Sequence, residues 1–348
     1  MHRFFNVKMI SRRLLRIKIL QALYAYYNTA GAGFAKPEKD LEYSINKAYS
    51  LYFYILLLIV AVKRYAEARI DLALNKKLPT FEDLNPNTRF IENELISQIQ
   101  EDGAFNKFVS EHVLSWSNYP ELIKNLYGKL LEAQYYKEYM ERPVSDYEAD
   151  KQLLVDFFTH ELEDNEMFFD ILEELCIFWN DDVELIVGRV IKTIKEMSPE
   201  KFEMLPLYKS ESDPEFAFSL LRATIKNYDE YHKLIDSYVV NWDIERVAHI
   251  DNLVLQMAIN ELVEFPSIPI KVTFDEYLEL AKYYSTPKSS IFINGLLDKI
   301  LEDLILSGKI EKTVTWFFER VAPSEETSSE EETSSEDETE EQTPESEE

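Results

Sequence analysis

A chain of 348 residues with 46 % hydrophobic residues, 21 Tyr and 21 Phe holds enough apolar material for two compact domains, or for one domain with a large insertion. Its formal charge of -28 argues at first against a nucleic-acid partner, and only 7 Gly with few alternating Val-rich runs point to an all-α fold. The single cysteine, Cys176, sits in an apolar helical pattern and leaves no internal disulfide, so a cytoplasmic, reducing compartment is expected.

The charge is unevenly spread. Residues 1–37 carry seven basic side chains and no acidic one, whereas residues 323–348 carry thirteen acidic and no basic ones. The N-terminus shows no apolar stretch followed by a small-residue cleavage site, so no signal peptide is expected. Apolar periodicity predicts a first helix over 9–28. Its Arg12, Arg13 and Arg16 share an arc of about 100°. The later positions Ile19, Leu20, Ala22, Leu23, Tyr24, Tyr26 and Tyr27 predict a buried stem from which the basic end projects, with Gly31 and Gly33 closing the helix.

Residues 38–215 read as helices in patches and hold 19 basic against 36 acidic side chains. One long helix or two short ones are predicted over 41–74, then helices over 90–100, 111–139 (two, around Pro120), 146–160, 165–179 and 182–197. The run 48–62, AYSLYFYILLLIVAV, has fifteen residues. That is short of the roughly 20 that span a bilayer, so it is expected to be a buried helix with no membrane role. Pro199, Pro206 and Pro214 mark a linker. Beyond it come helical stretches over 214–238 and 243–265. Then Thr273 and Glu276 have the form of a capping box for a helix over 274–284, and a last helix runs over 290–306. The tail 323–348 has no apolar residue and repels itself, so disorder and a solubilising role are expected.

Two separated motifs then carry a resemblance. Arg12, Arg13, Arg16, Gln21, Ala22, Leu23 and Tyr24 fit the spacing RRxxRxxxxQALY. Later come Ile250-Asp251, Ala258, Glu261-Leu262, then Ile268-Pro269-Ile270-Lys271-Val272, Glu276, Glu279-Leu280-Ala281-Lys282 and finally Phe292-Ile293-Asn294-Gly295-Leu296-Leu297-Asp298-Lys299. In this order they resemble the NusB family of transcription antitermination factors. Two departures stand out. Thr273-Phe274-Asp275-Glu276 replaces the usual Ala-x-Asn-Glu, and Lys288 stands where some members have a carboxylate. The resemblance implies a NusB-like helical bundle core from residues 9–30 and 216–306, an inserted acidic helical region over 38–215, and the acidic tail over 323–348.

It also implies a function. NusB proteins pair with NusE, a small-subunit ribosomal protein, and the pair grips single-stranded boxA RNA in nascent ribosomal transcripts. The resulting antitermination complex keeps RNA polymerase from terminating. By position, Arg12, Arg13 and Arg16 are expected to meet RNA, with Lys288 and Phe292 forming the other wall. Arginine suits this task because its planar fork pairs with phosphate and stacks on bases. Tyr24 and Asp251 are expected to face NusE. Core packing is the alternative for Tyr24 and Phe292, and an ordinary surface carboxylate for Asp251.

An enzyme is not expected, nor a metal or cofactor. His160-Glu161 lacks the second histidine of a zinc-protease helix and Cys176 has no companion. There is no phosphate loop, and Gly31-Ala32-Gly33 has no third glycine at dinucleotide spacing. The competing expectation is a non-enzymatic helical scaffold that keeps a NusB-like module only for protein docking.

Overall fold

The computed structural model describes residues 9–29, 31, 33, 35–144, 146–208, 210–239 and 248–310. The acidic tail and the first turns expected at residue 243 lie outside the described residues. Among those described the fold is all-α, with fifteen α-helices, one 3-10 turn and no strand. The helices are α1 (Arg12–Tyr27), α2 (Lys36–Leu74), α3 (Phe81–Leu84), α4 (Glu94–Glu101), α5 (Gly103–Glu111), α6 (Pro120–Glu132), α7 (Gln134–Glu141) and α8 (Tyr147–His160). Then follow α9 (Glu166–Leu175), the 3-10 turn Ile177–Trp179, α10 (Val183–Glu196), α11 (Ser212–Lys226), α12 (Tyr228–Val239), α13 (His249–Glu264), α14 (Ile270–Tyr284) and α15 (Ser289–Leu306).

Local chemistry sets many of these boundaries. Ser11, Asn93, Asp102, Asp146 and Asn165 each accept a backbone N–H at a helix start. Pro120 opens α6 in its first turn, where its missing N–H has no cost; the two helices expected over 111–139 are α6 and α7, parted at Ala133 rather than around Pro120. Thr273 does not cap a helix. α14 starts three residues earlier, and the threonine hydroxyl turns inward to a carboxylate on α13.

The intervening region is organised around α2, a single helix of 39 residues and so about 58 Å long. α4, α5, α6 and α10 pack around it, and α8 covers α10. α2 is the one helix among the described residues long and apolar enough to cross a membrane, and most of that stretch is buried inside the protein. Its aromatic tips show why it suits an interior. Tyr52 shares a hydrogen bond of 2.7 Å with Thr193, Tyr54 donates to the Ser115 carbonyl, and Trp116 and Trp179 donate to carbonyls of α2 at 2.9 and 2.8 Å. Each polar end thus has a protein partner within an apolar setting.

The C-terminal bundle is built on α13, which touches α1, α11, α12, α14 and α15. It is buried almost all round, yet Asp251, Asn252, Gln256, Asn260 and Glu261 all lie in its buried set. All five reach beyond the helix, Asp251 by accepting from Ser289 of α15. Asn252 and Gln256 donate to the hydroxyl and carbonyl of Tyr228, Asn260 accepts from Asn227, and Glu261 takes an arginine of α1. α1 joins the two halves, packing on α2 at one side and on α11 and α13 at the other. Ahead of it, the Met9 and Ile10 amides pair with the Pro206 and Leu207 carbonyls.

Candidate nucleic-acid and partner interface

Between Arg13 and Tyr24 only Ile17 and Gln21 also reach the surface, so α1 offers one narrow strip. Spacings of four, four and three residues keep these side chains on one face of a helix. Arg16 lies roughly 100° of helix rotation away from the middle of that face. It is 2 % exposed and makes two hydrogen bonds to Glu261, of 2.8 and 2.7 Å. Thr273 and Tyr277 complete the carboxylate at 2.9 and 3.0 Å, so every strong acceptor direction is used. Burial, the largest single influence, lowers the tendency of Arg16 to stay charged; Glu261, Tyr277 and Glu276 together outweigh it, and the net shift is upward. The same burial pushes the Tyr277 phenol far above its ordinary range.

Arg16 therefore does not fit the expectation of an RNA contact. It holds α1 to α13 and α14. The reason lies in the position of the exposed face, which arginine spacing alone does not fix. The expected layout of α1 holds for the buried Ile19, Leu20, Ala22 and Leu23 and for the exposed Arg13, but Arg16 and Lys18 are buried and Tyr24, placed in the stem, is 47 % exposed.

Arg13 is exposed and bonds both oxygens of Glu276 on α14, at 3.0 and 2.9 Å. Glu276 also stands 3.7 Å from the inner Arg16. Arg12 reaches Asp213 of α11 at 3.2 Å and lies over the Phe216 ring. Two turns along α1, Gln21 donates to Asp181 at 2.7 Å, and Tyr284 at the end of α14 donates to the same oxygen at 3.1 Å. Beneath them Lys18 is sealed in, 2.7 Å from Asp182 and donating to the Phe178 carbonyl at 3.0 Å. Loss of hydration pushes the Asp182 carboxyl up to about 6, against the pull of Lys18.

At the far end, Tyr24 faces the His249 ring with centroids 5.8 Å apart, and Tyr27 stacks on Tyr228 at 4.3 Å. Asp251 is 4 % exposed and accepts from Ser289 at 2.8 Å, which removes it from the surface on which a partner-facing role depends. It ties the first turn of α13 to the first turn of α15. Lys288, just ahead of α15, is exposed, and Phe292 is half-buried against the core. α1 and α14 thus run side by side from the Arg13–Glu276 pair to the Gln21–Asp181–Tyr284 cluster. From there the Ser285–Ser289 hydrogen bond leads into the Lys288 corner.

Sequence reasoning missed Glu261, Glu276, Asp213, Asp181 and Asp182 as partners of the basic helix. A glutamate in the buried row of an otherwise apolar helix was the available signal for Glu261. The others come from long-range packing. Among the described residues no group of three or more His, Cys, Asp or Glu is placed to hold a metal ion.

Comparison with known proteins places the chain in a family. The NusB family model matches residues 166–302, starting at α9 rather than near residue 216. The chain is similar to the transcription antitermination protein NusB of Salinibacter ruber, with 44 % identity over 109 residues, 31 % of this chain and 68 % of the relative. It is 42 % identical over 91 residues to that of Gloeobacter violaceus, covering 26 % of this chain and 43 % of the relative. For Thermodesulfovibrio yellowstonii the figures are 42 % over 94 residues, 27 % and 62 %. No solved structure matches. The Arg-rich helix, the α13–α14 network and the closing helix thus sit in a chain that belongs to the NusB family.

Proposed function

We propose that this protein is a non-enzymatic transcription antitermination factor that binds single-stranded boxA-type RNA together with the ribosomal protein NusE. The observation that carries this reading is the 44 % identity to a NusB protein over 109 residues. Arg13 at the start of α1 and Lys288 just ahead of α15 are both exposed cations, which suits a polyanionic strand. In this reading Arg12 and Arg13 meet phosphate, Lys288 and Phe292 form the second wall, and Tyr24 faces NusE. Arg16 and Asp251 serve by holding α1 and α15 in place. The site is cytoplasmic, where nascent transcripts and ribosomal proteins are found.

With only a small cationic patch on a chain of net charge -28, RNA affinity is weak alone and strongly salt-dependent. NusE then supplies much of the positive surface. Binding of labelled boxA RNA and a scrambled control, with and without NusE, tests both statements. Preference for boxA that strengthens with NusE is expected; equal affinity for the two RNAs overturns the reading. The docking scaffold is favoured by one observation, the exposed Leu72, Leu78 and Phe81 of the intervening region, and indifference to RNA sequence would support it.

A further inference from the structure

The intervening region does not stand apart from the α1 strip. It places a carboxylate in the middle of it. We propose that Asp181 is a specificity-determining residue, accepting a hydrogen bond from the edge of an RNA base as the strand passes from Arg13 towards Lys288. The inference rests on the RNA-binding reading of this face.

Position comes first. Arg13 and Gln21 are separated by eight residues of helix, about 12 Å. Gln21 and Tyr284 both donate to Asp181 Oδ2, and Tyr284 precedes the corner that carries Lys288. A strand that touches both cations crosses Asp181. Rigidity comes second. The neighbouring Asp182 is paired with the sealed Lys18, Lys18 also binds the Phe178 carbonyl, and Trp179 donates to the Lys47 carbonyl at 2.8 Å. A group held on both sides in this way is a fixed acceptor rather than a swinging side chain.

Chemistry comes third. An ionised carboxylate accepts hydrogen bonds and donates none. Beside a phosphate it repels, so a strand crossing it turns its backbone away and its base edges inward. The amino and imino N–H groups of those edges are the donors such an acceptor pairs with, as aspartate does with the cytosine amino group. Oδ2 is already held by Gln21 and Tyr284, while among the described residues Oδ1 takes no hydrogen bond. That leaves one oriented acceptor for one base. Asp181, inside the family-matched stretch 166–302, would therefore contribute to reading the strand as well as to the fold.

The test compares the full-length protein with its Asp181→Ala and Asp181→Asn variants, each with NusE present. Each is titrated with boxA RNA and with the same bases in scrambled order. Asp181 is exposed, and matching thermal melts confirm that the variants fold. The expected result is that Asp181→Ala lowers the boxA-to-scrambled affinity ratio roughly tenfold while affinity for the scrambled strand holds or rises slightly. Asp181→Asn, which keeps one acceptor oxygen, falls between. An equal gain for both RNAs overturns the inference, because the carboxylate then only repels. An unchanged ratio overturns it too. If the unaltered protein shows no boxA preference, the RNA-binding reading itself falls and takes this inference with it.

Discussion

The inner and outer sides of α1 carry the same bond in two settings. Arg16 forks onto Glu261 in a dry interior, with side chains 3 % and 0 % exposed, while Arg13 forks onto Glu276 at the surface, with 53 % and 18 %. Their distances are alike. Water makes the difference: the inner pair, backed by Thr273 and Tyr277, is shut off from solvent and fixes the packing of three helices. The outer pair competes continuously with solvent and with any incoming anion. Two arginines three residues apart thus have separate tasks, one architectural and one available for recognition.

The sharpest way to break this contrast is Glu261→Ala, which strands a guanidinium at 2 % exposure. A loss of about 3–5 kcal/mol in urea unfolding is expected. A loss under about 1 kcal/mol would show that water reaches Arg16 and that the two sides do not differ.

A second measure uses the buried Lys18–Asp182 pair. Asp182 is pushed up to about 6 in the folded protein, above the ordinary carboxylate value of about 3.9 in an unfolded chain. The folded state therefore binds the proton more tightly. The stabilisation from this group is fully present below about pH 4 and is lost as pH rises through about 6. Relative to Asp182→Asn, the protein should lose up to about 3 kcal/mol across that window. A difference that instead grows with pH would mean that the attraction of Lys18 outweighs the loss of hydration.

The smallest effect on the fold is expected at Arg13→Ala, less than about 1 kcal/mol by thermal melting. Its effect lies in binding, where the slope of log affinity against log salt for boxA RNA should flatten by about one. An unchanged slope would remove Arg13 from the strand path. Together with a large loss at Glu261→Ala, a flattened slope separates the two arginines cleanly.

The sequence made the helical class and most helix positions legible, because apolar spacing and capping residues are local. Asn165, Asp146 and Pro120 announce helix starts in their own neighbourhoods. The arginine cluster was legible as a cluster. Its division into one buried and two surface members was not, since that depends on α13 and α14, some 250 residues later in the chain. Asp251 was misplaced for the same reason: its partner Ser289 stands on another helix. The role of Asp181 depends on a contact spanning 160 residues, which no short pattern encodes.

The tyrosine ends of α2 bear on how the chain is made. Tyr52 finds its hydroxyl partner at Thr193, 141 residues later. At roughly 5–20 residues per second that interval is on the order of ten seconds. Until then α10 is missing, and the cover of the apolar stretch begun by α4, α5 and α6 stays incomplete. A growing chain with such an exposed run is a natural client for a holding chaperone. Slowing synthesis between α2 and α10 is expected to lower the soluble yield, with no change in any contact of the finished protein.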